Sequence, residues 1–337
     1  MLNLDKKLLN IDKSKIYNLL KVITIVLVVL AHVTRMYTEV GVFSPYRKSE
    51  CLSYLTKVIY KFHMPLFIMI SGCVYSFCLE HGKYNNVKKF IINKFRRLII
   101  PYLFWGIFYV APIMIVLGLT ELSYSQYCFH NIILCYDSRH LWYIVTLFFI
   151  FMLAIVMNRY IKNSIIILVT SIGLHILCRL VVVHILVNYI LHYQLYFWIG
   201  YCLNIYFDQV LCIWNKVKKL TLPILFILVF MSQYDKNILT NNFLAGIGCF
   251  VVFSLVIYIE MYIHSFAECK LYKVIEKNGF GIYLLHPMLI YIIFYFGKDM
   301  DINPFIFTIL TTVSVFIISI LFTYIIRILK LKFIIGE

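Results

Sequence analysis

Apolar runs long enough to cross a bilayer recur from about residue 17 to residue 327 and leave room for little else. A membrane-spanning helix needs about 20 mostly apolar residues. In lipid, the backbone of such a segment must satisfy its own hydrogen bonds, which an α-helix does. Spans are expected at about 17–38, 57–79, 98–119, 141–158, 164–187, 189–207, 220–234, 243–263, 279–297 and 304–327. The expected fold class is therefore all-α, a polytopic membrane bundle of about ten helices. Composition agrees: 63% of residues are hydrophobic, and 14% are charged where a soluble domain carries about 25%. With mean hydropathy +0.89 and short loops, the 337 residues read as one membrane domain, 1–337 with its core at about 15–332. No soluble extracytoplasmic domain is expected.

The formal charge of +16 would suit nucleic acid, but its distribution argues otherwise. On a ten-span topology, 22 of the 31 Lys and Arg fall on one side, eight on the other, and Arg179 lies within a span. That asymmetry over short loops is the positive-inside pattern. It puts both termini in the cytoplasm and nucleic acid outside the expected partners. Lys6, Lys7, Lys13 and Lys15 before the first run imitate a signal peptide, but no small-x-small cleavage site follows, so a retained first span is expected. The ten cysteines form no CxxC pair. Most, like Cys73, Cys178 and Cys249, sit in apolar runs and read as small hydrophobes. A Cys128–Cys135 bridge is conceivable, although spacing alone does not establish its geometry.

Polar residues inside the spans need a reason, because charge in the membrane is expensive and usually faces a protein interior or a water-filled path. Lys21 and His32 are eleven residues apart, about three turns, on one helix face and roughly 16 Å apart along the axis. Asn18, Thr24 and Arg35 extend that stripe. His32 reads either as a helix-end histidine satisfied by a neighbour or as a general base able to take a proton from a hydroxyl. In the run Phe62-His63-Met64-Pro65, Pro65 frees a helix carbonyl. His63 is either interfacial or aligned with His32 in depth. Arg96 and Arg97 close the most basic loop and read as topology anchors or as a clamp for a phosphate-rich donor. Arg139, His140 and Trp142 open the fourth span, where Trp is an ordinary interface residue. Arg179 is a costly mid-span charge. His286, before Pro287, reads as a structural hydrogen-bonding group or a site residue. The chain has no P-loop, HExxH, GxSxG or GxGxxG, so ATP-driven transport, zinc proteolysis and α/β-hydrolase chemistry lack support. A sugar or lipid-linked-glycan transporter fits the buried charges, although the paired halves common in transporters are not visible.

Five segments in order, Lys21-x10-His32, FHMPLFIMISG from Phe62, KFRRLIIPYLFW from Lys94, HLWYI from His140 and GIYLLHP from Gly281, carry a resemblance. The chain resembles the acyltransferase-3 family of multispan membrane O-acyltransferases, which includes fucose O-acetylase-like proteins, from about Lys15 to Lys332. Where the family usually has Arg before the first-span histidine this chain has Lys21, and Asn18 stands where an acidic residue is frequent. The resemblance implies transfer of an acyl group, usually acetyl from acetyl-CoA without a metal, to a hydroxyl of a surface or lipid-linked carbohydrate near the outer face of a bacterial cytoplasmic membrane. On that reading His32 and Lys21 are catalytic. Lys21, Arg96 and Arg97 hold the donor, and Arg35, His63, Arg139, His140, Trp142, Arg179 and His286 surround the acceptor. Membrane lipid and the carbohydrate acceptor are the expected partners.

Overall fold

The computed structural model describes residues 11–233, 238–263 and 266–337, and not the side chains of Arg179, Ile238 and Ala267. Every regular element among them is helical. Helix α1 spans Lys13–Thr34, its N-terminus closed by Asp12, which accepts from the Ser14 amide at 2.8 Å. Helix α2, Glu50–Glu80, starts at Ser49, whose hydroxyl accepts from the Leu52 amide. Glu50 in its first turn complements the positive end of the helix dipole. Helix α3 covers Val87–Val116 and is capped by Asn86. It contains two widened, π-type turns, Phe95–Ile99 and Gly106–Val110, just ahead of Pro101 and Pro112. A proline withholds an amide and crowds the preceding turn, and a π-turn absorbs that misfit without ending the helix.

Helix α4 is Trp142–Tyr160, α5 Ser164–Leu180, α6 Ile185–Ile205, α7 Phe207–Val217, α8 Thr221–Met231, α9 Ile238–Tyr262, α10 Lys270–Gly297 and α11 Pro304–Ile328. Helix α2 packs on α1, α6 and α9, while α1 also packs on α10, which α11 backs. Two glycines explain the closeness of α2 and α6. A Cβ at Gly72 would collide with the Phe197 carbonyl, and one at Gly200 with the Met69 carbonyl. Small residues of this kind let membrane helices approach backbone to backbone. Segment 332–337 folds back under α3. Trp105 Nε1 donates to the Ile334 carbonyl at 2.7 Å, and Arg97 Nε to that of Gly336 at 2.9 Å. Arg327 hydrogen-bonds the Glu337 carboxylate and holds it below the usual carboxylate range. That contribution to stability is present above the unfolded value of about 4.3 and is lost as pH falls through the lower folded value.

Ten spans were expected; among the described residues, seven helices have the length and apolarity that a span needs. Helices α1, α2, α3, α4, α9, α10 and α11 are long and apolar enough to cross a membrane. The expected span 164–187 breaks at Val181, leaving 17 helical residues, about 26 Å at 1.5 Å per residue. The expected span 220–234 is an 11-residue helix. Helix α6, in place of 189–207, has 21 residues, but Asn188, His192, Gln194, Asn204 and its tyrosines lower its hydropathy. Two of those polar residues, Gln194 and Asn204, are fully buried, so α6 faces protein where a lipid-facing pattern was expected. The charged loop before the third span is helical too, so α3 begins about ten residues earlier than its apolar run. Cys128 and Cys135 are free thiols.

The α2–α6 approach predicts a contrast between glycines. Gly200→Val forces a side chain against backbone, where overpacking costs roughly 1–3 kcal/mol. Gly173→Ala meets nothing within 4 Å. Thermal melting in detergent should show a lower midpoint for the first variant and an unchanged or slightly higher one for the second.

Candidate functional site

His32 sits one turn before the end of α1 and is partly accessible, whereas His63, His140 and His286 around it are buried. Ring centroids of His32 and His286 are 5.0 Å apart, those of His140 and His286 5.6 Å, and those of His32 and His63 6.5 Å. Three helices, α1, α2 and α10, and the turn leading into α4 thus deliver one histidine each. Among the described residues no group of three or more His, Cys, Asp or Glu is arranged to hold a metal ion.

The local reason is visible at Pro287. Without an amide hydrogen, Pro287 leaves the Tyr283 carbonyl, four residues back, without its helical partner. His286 Nδ1 occupies that position at 2.8 Å and also lies 3.1 Å from the Ile282 carbonyl. His140 Nε2 reaches the next carbonyl, that of Leu284, at 3.0 Å, and the Tyr109 hydroxyl donates to that of Leu285 at 3.0 Å. The Tyr283 hydroxyl closes the circuit by donating to the His140 carbonyl. A carbonyl only accepts, so each of these ring nitrogens carries the proton. His63 Nδ1 spends its proton in the same way on the Ile59 carbonyl at 3.0 Å. In the neutral rings, the other nitrogens are acceptors. His286 Nε2 and His140 Nδ1 are buried with no partner in the protein, as is Arg35 Nε. Buried polar atoms without partners are uncommon, and these three nitrogens are able to meet polar groups of a bound molecule.

Two hollows approach this cluster from opposite ends of the bundle. The first, of about 470 Å³, opens where α1 begins and is lined there by Lys21, Lys94 and Arg97, with Glu276 and Glu337. Lys21 Nζ donates to Asn18 Oδ1 at 3.2 Å. Lys94 Nζ lies 3.8 Å from the centre of the Phe151 ring, an arrangement that holds the ammonium by cation–π attraction. Deeper in, Ile25, Ile70, Val74 and Leu147 make an apolar shaft that reaches Ser71, Tyr143 and Tyr283. The Tyr283 ring is 5.8 Å from His140 and 5.9 Å from His286, so this side chain stands between the hollow and the histidines. The second hollow, of about 780 Å³, lies at the other end and is lined by Arg35, Lys57, Tyr60, Lys61, Glu39 and polar residues of α6 and α9. The Tyr60 hydroxyl stands 3.5 Å from His32 Nδ1, and the Arg35 guanidinium lies over the Tyr60 ring at 5.7 Å. Both volumes are in the range of small-molecule sites, about 300–1,000 Å³.

Of the residues singled out from sequence, the structure brings His32, His63, His140 and His286 together. It puts Arg35 in the wider hollow and Lys21 and Arg97 in the narrower one. Arg96 is exposed and does not line the cavity. Arg139 pairs with Asp137 at 3.5 Å, and Trp142 stacks on Tyr189 and Tyr193 of α6 with centroids 4.6 and 4.9 Å apart. Neither touches the histidine rings. The side chain of Arg179 lies outside the described residues. Sequence reasoning passed over Tyr60, Lys94 and Tyr283. Each had a signal in its helical offset, since Tyr60 and Tyr283 stand three residues before His63 and His286, and Lys94 three before Arg97.

A family model for an acyltransferase domain matches residues 15–327 of the chain. No curated protein and no solved structure matches it. The Pro287 geometry yields a prediction of its own. His286→Ala strands the Tyr283 carbonyl and should cost roughly 1–3 kcal/mol. In a Pro287→Ala background the restored amide takes that carbonyl, and the same change should cost measurably less. A double-mutant cycle of melting midpoints reads the coupling.

Proposed function

Because the chain belongs to the acyltransferase-3 family, we propose that it moves an acetyl group from acetyl-CoA to a hydroxyl of a carbohydrate, across the thickness of a bacterial cytoplasmic membrane. The observation that carries this reading is the position of His32 between two hollows. Tyr283, packed on His286, lines one of them, and Tyr60 and Arg35 line the other. The narrow hollow suits the donor. Its cationic end matches the phosphates of CoA, with Arg97 and the lysines as charge partners, and its apolar shaft matches a thin pantetheine arm. The run Lys88, Lys89, Lys94, Arg96 and Arg97 at that end supports a cytoplasmic position for it.

In this reading His32 Nδ1, facing Tyr60 and the wide hollow, takes the proton of the acceptor hydroxyl. The hydroxyl oxygen bonds to the thioester carbonyl carbon and forms a tetrahedral intermediate. The carbon–sulfur bond then breaks, and the imidazolium returns its proton to the leaving thiolate. His286 is a positioning residue. Its ring lies edge-on to that of His32 with centroids 5.0 Å apart, and its Nε2, without a partner in the structure, is the acceptor available to the imidazolium, the role that a third group plays behind a catalytic base. His63 and His140 keep their own protons on backbone carbonyls and so do not compete for that of the acceptor. Arg35 and Tyr60 contact the sugar. Arg139 and Trp142 support the site from outside it.

Membranes holding the wild-type chain should transfer label from acetyl-CoA to glycan, and His32→Ala should abolish transfer while melting normally. Near-normal transfer by that variant would end the assignment of the base. Lys94→Gln and Arg97→Gln should each raise KM for acetyl-CoA by about tenfold, the worth of one lost phosphate contact of about 1.4 kcal/mol. Arg96→Gln, on the exposed side of α3, should leave KM unchanged. A steady-state series in acetyl-CoA separates these outcomes.

A further inference from the structure

One wall of the narrow hollow comes from outside the long helices. Ile335, Gly336 and Glu337 line it beside Arg97. They reach that place because α11 ends in a reversal. The Leu331 amide donates to the Ile326 carbonyl at 3.0 Å and the Lys330 amide to that of Arg327 at 3.2 Å, the paired bonds of a Schellman cap. Lys330 takes the left-handed position, at φ +60°, which usually falls to glycine. Something beyond local preference therefore holds the reversal, and docking on α3 and α10 does so. Ile334 and Ile335 are each 3% exposed, and Trp105 Nε1 donates to the Ile334 carbonyl. Arg327 Nε donates to both oxygens of the Glu337 carboxylate, each at 3.0 Å, and Arg327 Nη1 reaches Asn278 Oδ1 of α10 at 2.6 Å.

The segment meets Arg97 twice. The Gly336 carbonyl accepts from Arg97 Nε at 2.9 Å. Gly336 has φ +68°, and a Cβ there would lie 2.7 Å from the Arg97 carbonyl oxygen and 3.0 Å from the Phe280 ring. The absence of a side chain is what permits this approach. Among the described residues the bond to Gly336 is the one hydrogen bond of the Arg97 guanidinium. It takes Nε and leaves the two terminal nitrogens, whose paired N–H groups match two oxygens of a phosphate. The Glu337 carboxylate, which lines the same hollow, is held by Arg327 and does not take them. An arginine anchored at Nε has given up part of its rotamer freedom before a ligand arrives, so less is lost on binding. We propose that segment 332–337 is part of the donor site, with Trp105, Ile334 and Gly336 as positioning residues that set Arg97 for a phosphate of the donor. The inference rests on the acyl-transfer reading for the identity of that donor.

Two variants act on the segment from opposite ends. Trp105 does not line the hollow, and Trp105→Phe removes its Nε1 donor while keeping an aromatic ring in place. Gly336→Ala pushes the segment off Arg97. Binding of coenzyme A to the full chain in detergent, read by calorimetry, should weaken about fivefold in each, with melting used to show that the variants fold. In an Arg97→Gln background neither change should weaken binding further, because the group they position is gone. Saturating acetyl-CoA should restore the wild-type kcat, so that the loss appears in KM alone. Unchanged affinity in either folded variant, or the same loss in the Arg97→Gln background, would overturn the inference and leave the segment a structural brace. Inorganic pyrophosphate is the second probe. If it follows the same pattern in a protein with no affinity for coenzyme A, the positioned Arg97 stands and the acyl-transfer reading is contradicted. Binding of neither probe would contradict both.

Discussion

One absent amide hydrogen, at Pro287, organises the centre of this bundle. The carbonyl it strands on Tyr283 is taken by His286, and the carbonyls that follow are taken by His140 and Tyr109. In a helix interior such a break costs about 3 kcal/mol or more. Here the His286 side chain takes the stranded carbonyl, as membrane proteins require wherever a helix ladder is interrupted, and His140 and Tyr109 add contacts beside it. The compensation has a chemical by-product. Because the imidazole protons are committed to backbone, the remaining nitrogens are left as acceptors with no protein partner, and they surround the one histidine of the cluster that is partly accessible.

The same arrangement separates two environments. On one side of His32 the hollow is narrow, apolar along its length and cationic at its mouth. On the other it is wide and polar. The close backbone contact between α2 and α6 at Gly72 and Gly200 fixes the wall that both spaces share, since α2 contributes Ile70 and Ser71 to the narrow hollow and Tyr60 and Lys61 to the wide one.

Much of this was legible in the chain, and the failures have physical causes. Length and apolarity identified the seven long helices because lipid imposes a nearly uniform apolar surface. The same criterion misjudged α5, which stops at Val181, and α6, whose polar residues face other helices. The four histidines were recoverable because titratable residues in apolar runs are conspicuous. Tyrosines are not, since they are ordinary at membrane interfaces, and so Tyr60 and Tyr283 escaped attention. Arg96 and Arg97 read as a pair in sequence because they are adjacent, yet neighbours on a helix point about 100° apart. The residues that share the cavity are Lys94 and Arg97. The hollows themselves arise from elements far apart in sequence and had no sequence signal.

The central proposal is that acetyl passes from a donor at one face of the membrane to an acceptor at the other, with His32 as the base. Sidedness tests it most directly. In sealed vesicles of defined orientation, with acetyl-CoA confined to one side and lipid-linked glycan acceptor to the other, the account predicts acetylation only when the donor faces Lys94 and Arg97 and the acceptor is on the opposite side. Acetylation with donor and acceptor confined to the same side, and none across the membrane, would contradict it.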